Sequence, residues 1–264
     1  MPPRLLICRY RVGDRGSVRK PRENGCAMID DAPGEEQQQL LAQVDILKEL
    51  PEREVDHVAT RSPIVRLGEK ESLTLGEDVY GILFLLRGRV RVHEPNSGGQ
   101  DLTFSVIEGG TLVGQAGSAP GTSRALLVEA LEASVLRVVE RGDFEDLVSR
   151  NPKVGVSTIR LLGERLEAYE GRLSDLIRKE VPARLAGLIL RLSEHHRVVT
   201  DKGRRRVIRT RYTHQQLASM VGSNREVVTR AFGVLRKAGA VQTRDRQIYV
   251  TDEDALARLA EVVR

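Results

Sequence analysis

Arg225, Glu226, Thr229 and Arg230 lie within the stretch THQQLASMVGSNREVVTRAFGVLRKAG, residues 213–239. On a helix of ~3.6 residues per turn they fall within an arc of about 140°. Arginine can donate two parallel hydrogen bonds to guanine O6 and N7, and glutamate can accept one from cytosine N4. A helix presenting both on one face therefore suits the edges of G·C pairs in a major groove. Val227, Val228, Ala231, Val234 and Leu235 fall on the opposite side, where they can be buried.

The flanking residues supply what is needed to hold such a face. Thr213 is placed to cap a helix over HQQLASMV, and Gly222 permits the left-handed backbone of a tight turn between helices. Ser223 is expected to cap a second helix that runs to about Lys237, with Gly239 ending it. Leu217, Ala218 and Val221 offer the facing apolar surface, and Ala218 is small enough for the helices to cross closely. This is the pattern of a helix-turn-helix. The following AVQTRDRQIYV reads as a hairpin with a tight turn near residues 244–246, a wing that would bring Arg244 and Arg246 to a phosphate backbone.

Charge is distributed to match. Residues 181–264 hold 17 Lys+Arg against 8 Asp+Glu, a balance of +9. Residues 1–27 hold 7 against 2. The whole chain carries +5, which leaves −9 on residues 28–180. A basic C-terminal block on an acidic body points to a polyanionic partner for that block, here double-stranded DNA. The 264 residues suffice for two modest domains. No apolar run approaches the ~20 residues of a membrane span. The four-residue run in MPPRLLICRYRV falls short of a signal-peptide core of roughly 7–15. The expected location is the cytoplasm, with no membrane partner.

Upstream of the basic block the periodicity changes twice. Residues 1–27 are Arg-rich with no sustained period and read as disordered, part of a tail taken to residue 35. Met28 is expected to be the native start. Cys8 and Cys26 are read as unpaired thiols in that tail, too few for a disulfide framework or a four-thiolate cluster. From about Arg66 to Glu140 short period-two runs alternate with Gly-rich turns. Val90 and Val92, then Leu102, Phe104 and Val106, are the inward residues of a hairpin, with Arg89, Arg91 and His93 facing out. Several such strands in succession argue a sandwich or barrel. RGDFEDLVSRNP reads as a short helix ended by Asn151-Pro152. A long helix then runs to about Glu180, with Ile159, Leu162, Leu166, Tyr169, Leu173 and Leu176 at alternating spacings of 3 and 4. That is a heptad seam suited to pairing with an identical helix, making a homodimer. Pro182 breaks this helix, and ARLAGLILRLSEHH begins another.

The helix-turn-helix stretch resembles the DNA-binding motif of the Crp/Fnr family of bacterial transcription regulators. The similarity extends over about residues 40–250 and includes LFLLRGRVRV, GGTLVG and Asn151-Pro152. It implies an α+β architecture: a cyclic-nucleotide-binding jelly-roll barrel over residues 36–152, a dimerisation helix over 153–180, and a winged helix-turn-helix over 181–264. It also implies base reading by Arg225, Glu226 and Arg230 at half-sites like TGTGA. Phosphate contacts would come from Thr213, His214, Gln215, Ser223 and Asn224, beside the wing residues. RNA polymerase is an expected partner.

The family's nucleotide pocket pairs Gly-Glu with Arg-Ser and adds Thr-Ser from the dimer helix. The matching positions here are Gly114-Gln115, Arg124-Ala125 and Tyr169-Glu170. Arg124 can still pair with a phosphate. Gln115 lacks the carboxylate, Ala125 lacks the hydroxyl, and Tyr169 could fill the base's space. No ligand is therefore expected to be required, with cyclic AMP or another small anionic ligand as the alternatives. His93 reads as a solvated strand residue, and the adjacent His195 and His196 do not form an i, i+4 metal pair. No phosphate-binding P-loop, nucleophile elbow or metal-spaced cluster argues for an enzyme; the rival class is a cyclic-nucleotide-binding module controlling a protein partner, against which the basic winged helix-turn-helix argues.

Overall fold

The computed structural model describes residues 9–12, 18–19, 35–75, 81–95, 101–116, 126–193, 197–200, 203–208, 212–244 and 247–262. The chain divides into two units, residues 1–165 and 166–264. In the first, strands β1 (Arg9–Val12) and β2 (Val18–Arg19) precede helices α1 (Glu35–Ala42) and α2 (Glu52–Arg61). Then come β3 (Ile64–Leu67), β4 (Glu71–Leu75), β5 (Gly81–Arg87), β6 (Arg89–Glu94) and β7 (Leu102–Glu108). β8 (Thr111–Ala116), β9 (Leu126–Ala130) and β10 (Ser134–Val139) complete the strands, and α3 (Arg141–Arg150) follows. The long helix α4 (Pro152–Arg178) begins in this unit and ends in the next.

Two sheets form, in the orders β2-β1-β4-β9-β6-β7 and β3-β10-β5-β8. β1 corrects the expectation of a tail without regular structure, since Arg9 pairs with Leu73 and Arg11 with Glu71. Without β1, β4 would be an edge strand, and an edge leaves backbone N–H and C=O groups free to pair. Cys8 and Cys26 lie outside the described residues.

β5 sets the layering because its sequence, GILFLLR, is apolar on both faces. Leu83 and Leu85 point into the space between the sheets, with Val90, Val92, Val128 and Leu136. Ile82, Phe84 and Leu86 point the other way and pack with Leu41, Leu47, Val58 and Leu147 from the helices. The second layer contains an arginine. The guanidinium of Arg137 on β10 is fully buried and donates to the carbonyls of Ala59 and Ser62. It thereby satisfies acceptors that the C-terminus of α2 would otherwise leave open.

In the second unit, α5 (Val181–Ser193) has Pro182 in its first turn, where no helical N–H is needed. β11 (Arg197–Thr200) and β12 (Gly203–Ile208) form a hairpin. α6 (His214–Val221), α7 (Arg225–Lys237), β13 (Val241–Arg244), β14 (Gln247–Val250) and α8 (Glu253–Ala260) follow. The strands order as β11-β12-β14-β13, and α5 packs against α6, α7 and α8. The strand expected in RRRVIRTRY is β12; β11 carries no sequence pattern that marked it.

The β6–β7 hairpin departs from the expected alternation. A bulge shifts the register between Val92 and His93, so that Val92 faces Ser105 and His93 faces Thr103. The extra residue changes which side chains point inward. Thr103 and Ile107 are buried, whereas Leu102 is exposed and Phe104 and Val106 are only half-buried. Arg89, Arg91 and His93 are not solvated either: all three are buried, His93 completely. The Arg91 guanidinium donates to Glu129 Oε2 at 2.7 Å and lies 3.5 Å from Asp101 Oδ2. Arg89 pairs with Glu108 at 2.9 Å. His93 places Nδ1 at 3.4 Å from Asp101 and Nε2 at 3.7 Å from Glu129. Both contacts are too long to hold a proton on a ring whose neighbouring carboxylates are already engaged by Arg91. Burial, and then the Arg91 charge, lower its pKa from 6.5 to about 3.

This has a sign. Below pH 6.5 the unfolded chain binds a proton at His93 that the folded chain refuses, so stability falls as pH drops toward 3. At ~1.36 kcal/mol per pH unit, the His93 contribution at pH 5 is a loss of about 2 kcal/mol. Urea unfolding of the wild type and of His93→Gln should therefore differ in pH slope between pH 7 and 5, the variant losing less. Parallel slopes would show that the imidazole titrates normally.

Candidate nucleic-acid interface and effector site

α6 and α7 are fixed by local hydrogen bonds that the sequence specifies. Thr213 caps α6 with a full capping box: its hydroxyl accepts from Gln216 N–H, and its own N–H donates to Gln216 Oε1 at 2.9 Å. Gly222 takes φ +62° and ψ 53°. α7 is capped by Asn224, whose Oδ1 accepts from Val227 N–H at 2.9 Å, and not by Ser223 as expected. The first helical residue is Arg225, which puts Asn224 one position before it, where the capping geometry operates.

The helices close on Leu217, Ala218 and Val221 from α6 and Val228, Ala231, Phe232 and Leu235 from α7, all buried. Phe232 takes the inward place expected of Val234, which is 45% exposed. The opposite face of α7 carries Arg225, Glu226, Thr229 and Arg230, all exposed, so the structure gathers the three assigned base readers on one accessible surface. Among the sequence-assigned phosphate residues, Thr213 and Gln215 are exposed, and His214, Ser223 and Asn224 are half-buried around the two helix starts. Two of these side chains, Thr213 and Asn224, are engaged in capping. β13 and β14 form the expected wing, with Arg244 exposed and its Nη2 donating to Gln242 Oε1 at 3.3 Å. Arg246 lies outside the described residues.

α4 displays the heptad seam openly. Ile159 is 72% exposed, and Leu162, Leu166, Tyr169, Leu173 and Leu176 are also exposed, while only Val154 of the helix is buried. Val156 and Ile177 extend the same apolar exposure. Within the second unit, Leu176 reaches the helix-turn-helix: a β-carbon on Gly222 would meet its Cδ2 at 2.8 Å.

Of the effector residues, Gly114 and Gln115 lie near the end of β8, with Leu83 of β5 opposite Gly114. A β-carbon on Gly114 would meet nothing within 4 Å, so the backbone there borders open space. Arg124 and Ala125 lie outside the described residues. Tyr169 is on the exposed side of α4. Arg165 was not singled out by sequence. Its guanidinium donates from Nη1 to Val113 O at 3.1 Å and from Nη2 to Leu112 O, tying α4 to β8 immediately before Gly114. Among the described residues no group of three or more His, Cys, Asp or Glu could hold a metal ion, and no helix is long and apolar enough to cross a membrane.

Comparison with known proteins bears on both units. Residues 183–259 match the Crp-like helix-turn-helix domain and residues 69–151 the cyclic nucleotide-binding domain. The CRP-like cAMP-activated global transcriptional regulator of Mycobacterium tuberculosis (strain ATCC 25618 / H37Rv) is 23% identical over 188 residues, 70% of this chain and 82% of that protein. The cyclic AMP receptor protein of Thermus thermophilus is 27% identical over 186 residues, 70% of this chain and 81% of that one. The solved structure of FixK2 from Bradyrhizobium japonicum superposes with a TM-score of 0.64 at 19% identity, covering 77% of this chain and 99% of that chain. The family consists of transcription regulators, not enzymes. With its barrel and its helix-turn-helix both matched, over more than half its length, this chain belongs to the Crp/Fnr family and is a DNA-binding transcription regulator with a cyclic nucleotide-binding domain.

Proposed function

We propose that the protein binds a pseudo-palindromic promoter site as a homodimer and needs no ligand to do so. The observation that carries this reading is the division of α7 into a buried apolar side and an exposed side bearing Arg225, Glu226 and Arg230. Arg225 and Arg230 suit guanine and Glu226 suits cytosine, as half-sites like TGTGA require. The dimer is supported by the uncovered stripe on α4, since apolar surface of that extent exposed along a 27-residue helix marks an interaction face. A two-fold dimer would place its half-sites about one helical turn apart, ~34–36 Å centre to centre. RNA polymerase and a cytoplasmic location follow from promoter binding.

Independence from a ligand is supported by chemistry at the matched pocket positions. Gln115 offers an amide where the family has a carboxylate, Ala125 offers no hydroxyl, and Tyr169-Glu170 replace the base-contacting pair. The second reading, a cyclic AMP-responsive regulator, is favoured by the names of the mycobacterial and Thermus relatives and by the open space at Gly114, where a ligand could approach bare backbone.

Three measurements test these points. Leu166→Glu would set two unpaired charges in the paired seam, which is costly. Sedimentation should then find monomer, and an unchanged dimer would refute the seam. Calorimetry should detect no micromolar cyclic AMP binding, and DNA affinity should not change with the nucleotide; tight binding with a matching gain in DNA affinity would favour the second reading. Arg225→Ala should cost about 1–3 kcal/mol per half-site and relax the preference at one base pair. Arg244→Ala should instead weaken all sequences alike and lower the salt slope by about one unit for each phosphate no longer neutralised. Equal losses on specific and non-specific DNA for Arg225→Ala would remove α7 as the reading helix.

A further inference from the structure

His214 is the first residue of α6, and its ring stacks on Phe232 of α7 with centroids 5.0 Å apart and planes 9° from parallel. Its Nδ1 lies 2.8 Å from Thr229 Oγ1. That hydroxyl donates its only hydrogen to Arg225 O, also at 2.8 Å. It must therefore accept from the imidazole, which fixes the hydrogen of the neutral ring on Nδ1 and leaves Nε2 as a bare lone pair. Among the described residues the ring's only hydrogen-bond partner is Thr229, through Nδ1, and the ring is half-buried rather than buried. The ring is thus held by Nδ1, and among the described residues Nε2 has no partner, between the cap of α6 and the exposed Thr229 beside Arg225.

The surroundings keep this ring neutral. Burial lowers its pKa from 6.5, and the charges of Arg225 and Arg236 on α7 lower it further. α6 has no other ionisable side chain, α5, which also packs on it, carries only the cations Arg184 and Arg191, and α7 adds one carboxylate, Glu226, against Arg225, Arg230, Arg236 and Lys237. A phosphate reverses these influences. It brings negative charge to a position beside the cations, and a neutral imidazole with a bare Nε2 can only present a lone pair to it. A protonated Nε2 donates a charge-assisted hydrogen bond instead.

We propose that His214 takes up a proton as DNA binds and holds a backbone phosphate as an imidazolium, so that DNA affinity rises as pH falls. The inference rests on the DNA-binding reading of this face. Its window is set by the two states. Affinity is independent of pH well above the bound-state pKa, strengthens as pH falls, and levels off once the free ring is also charged, below pH 6.5. Within that window each full proton gained is worth about tenfold in affinity per pH unit, and a dimer has two such rings.

The test uses the full chain and a duplex carrying two inverted TGTGA half-sites, at low salt, titrated calorimetrically at pH 6.5 in two buffers of different ionisation enthalpy. The wild type should take up a measurable fraction of a proton per protomer, and its affinity should strengthen at least threefold from pH 8 to pH 6. His214→Asn keeps a donor to Thr229 but cannot ionise; it should bind with no uptake and a flat pH profile. His214→Arg supplies a permanent cation and should also lose the uptake while retaining tight binding at pH 8. Wild-type binding without proton uptake, or the same uptake in His214→Asn, overturns the proposal and leaves the DNA-binding reading intact. Absence of duplex binding at every pH overturns both.

Discussion

At Gly222 the chain turns between two helices with a left-handed backbone, and Leu176 of α4 closes over the place where a side chain would begin. Two separate constraints thus favour glycine here: the positive φ, which most side chains resist, and the 2.8 Å approach of the Leu176 side chain. The crossing of α6 and α7 depends on this turn, because it is what lets Leu217 and Ala218 meet Val228 and Ala231. That crossing decides which side of α7 remains in solvent. The exposure of Arg225, Glu226 and Arg230 on one face is therefore a consequence of a turn that carries no chemistry. Leu176 contributes twice, as the last residue of the α4 seam and as the surface on which the turn rests.

The effector unit solves a different problem, which is how to bury charge. Arg91, Glu129, Asp101 and His93 form one cluster on the six-stranded sheet, and Arg137 sits alone under α2. The first compensates charge with charge, and His93 completes it as a neutral ring. The second uses carbonyls at a helix C-terminus, where the aligned peptide dipoles leave partial negative charge. Arg165 repeats that device at β8, where two backbone carbonyls receive it. In all three places an arginine joins segments far apart in sequence, and its reach and several donors make it suited to the task.

What the sequence revealed tracks how local the determining interaction is. The helix-turn-helix was legible because its caps, turn glycine and apolar spacing all act within a few residues. The errors there were shifts of one or two residues, Asn224 for Ser223 and Phe232 for Val234. The strands of the barrel were legible as strands, but the face each residue takes was not. A bulge at His93 reversed the phase of β7, and Arg89 and Arg91 are buried by partners 19 and 38 residues away, Glu108 and Glu129. β1 was missed because a short Arg-rich segment shows no strand pattern, and only the edge of β4 gives it one. Arg165 was overlooked beside a conspicuous seam.

α4 contains Gly155, Gly163 and Gly171, and open space surrounds the last two. Glycine in a helix interior costs about 1 kcal/mol relative to alanine, so this helix is intrinsically weak for its length. Apart from Leu176, which touches the turn at Gly222, its apolar stripe lies exposed. Pairing with a second copy would supply the missing stabilisation, and it would make helix order and association a single event. The amount of working regulator would then vary with the square of its concentration when the protein is scarce. A cell that doubled its supply would gain more than twice the occupied promoters, so expression level itself would act as a threshold.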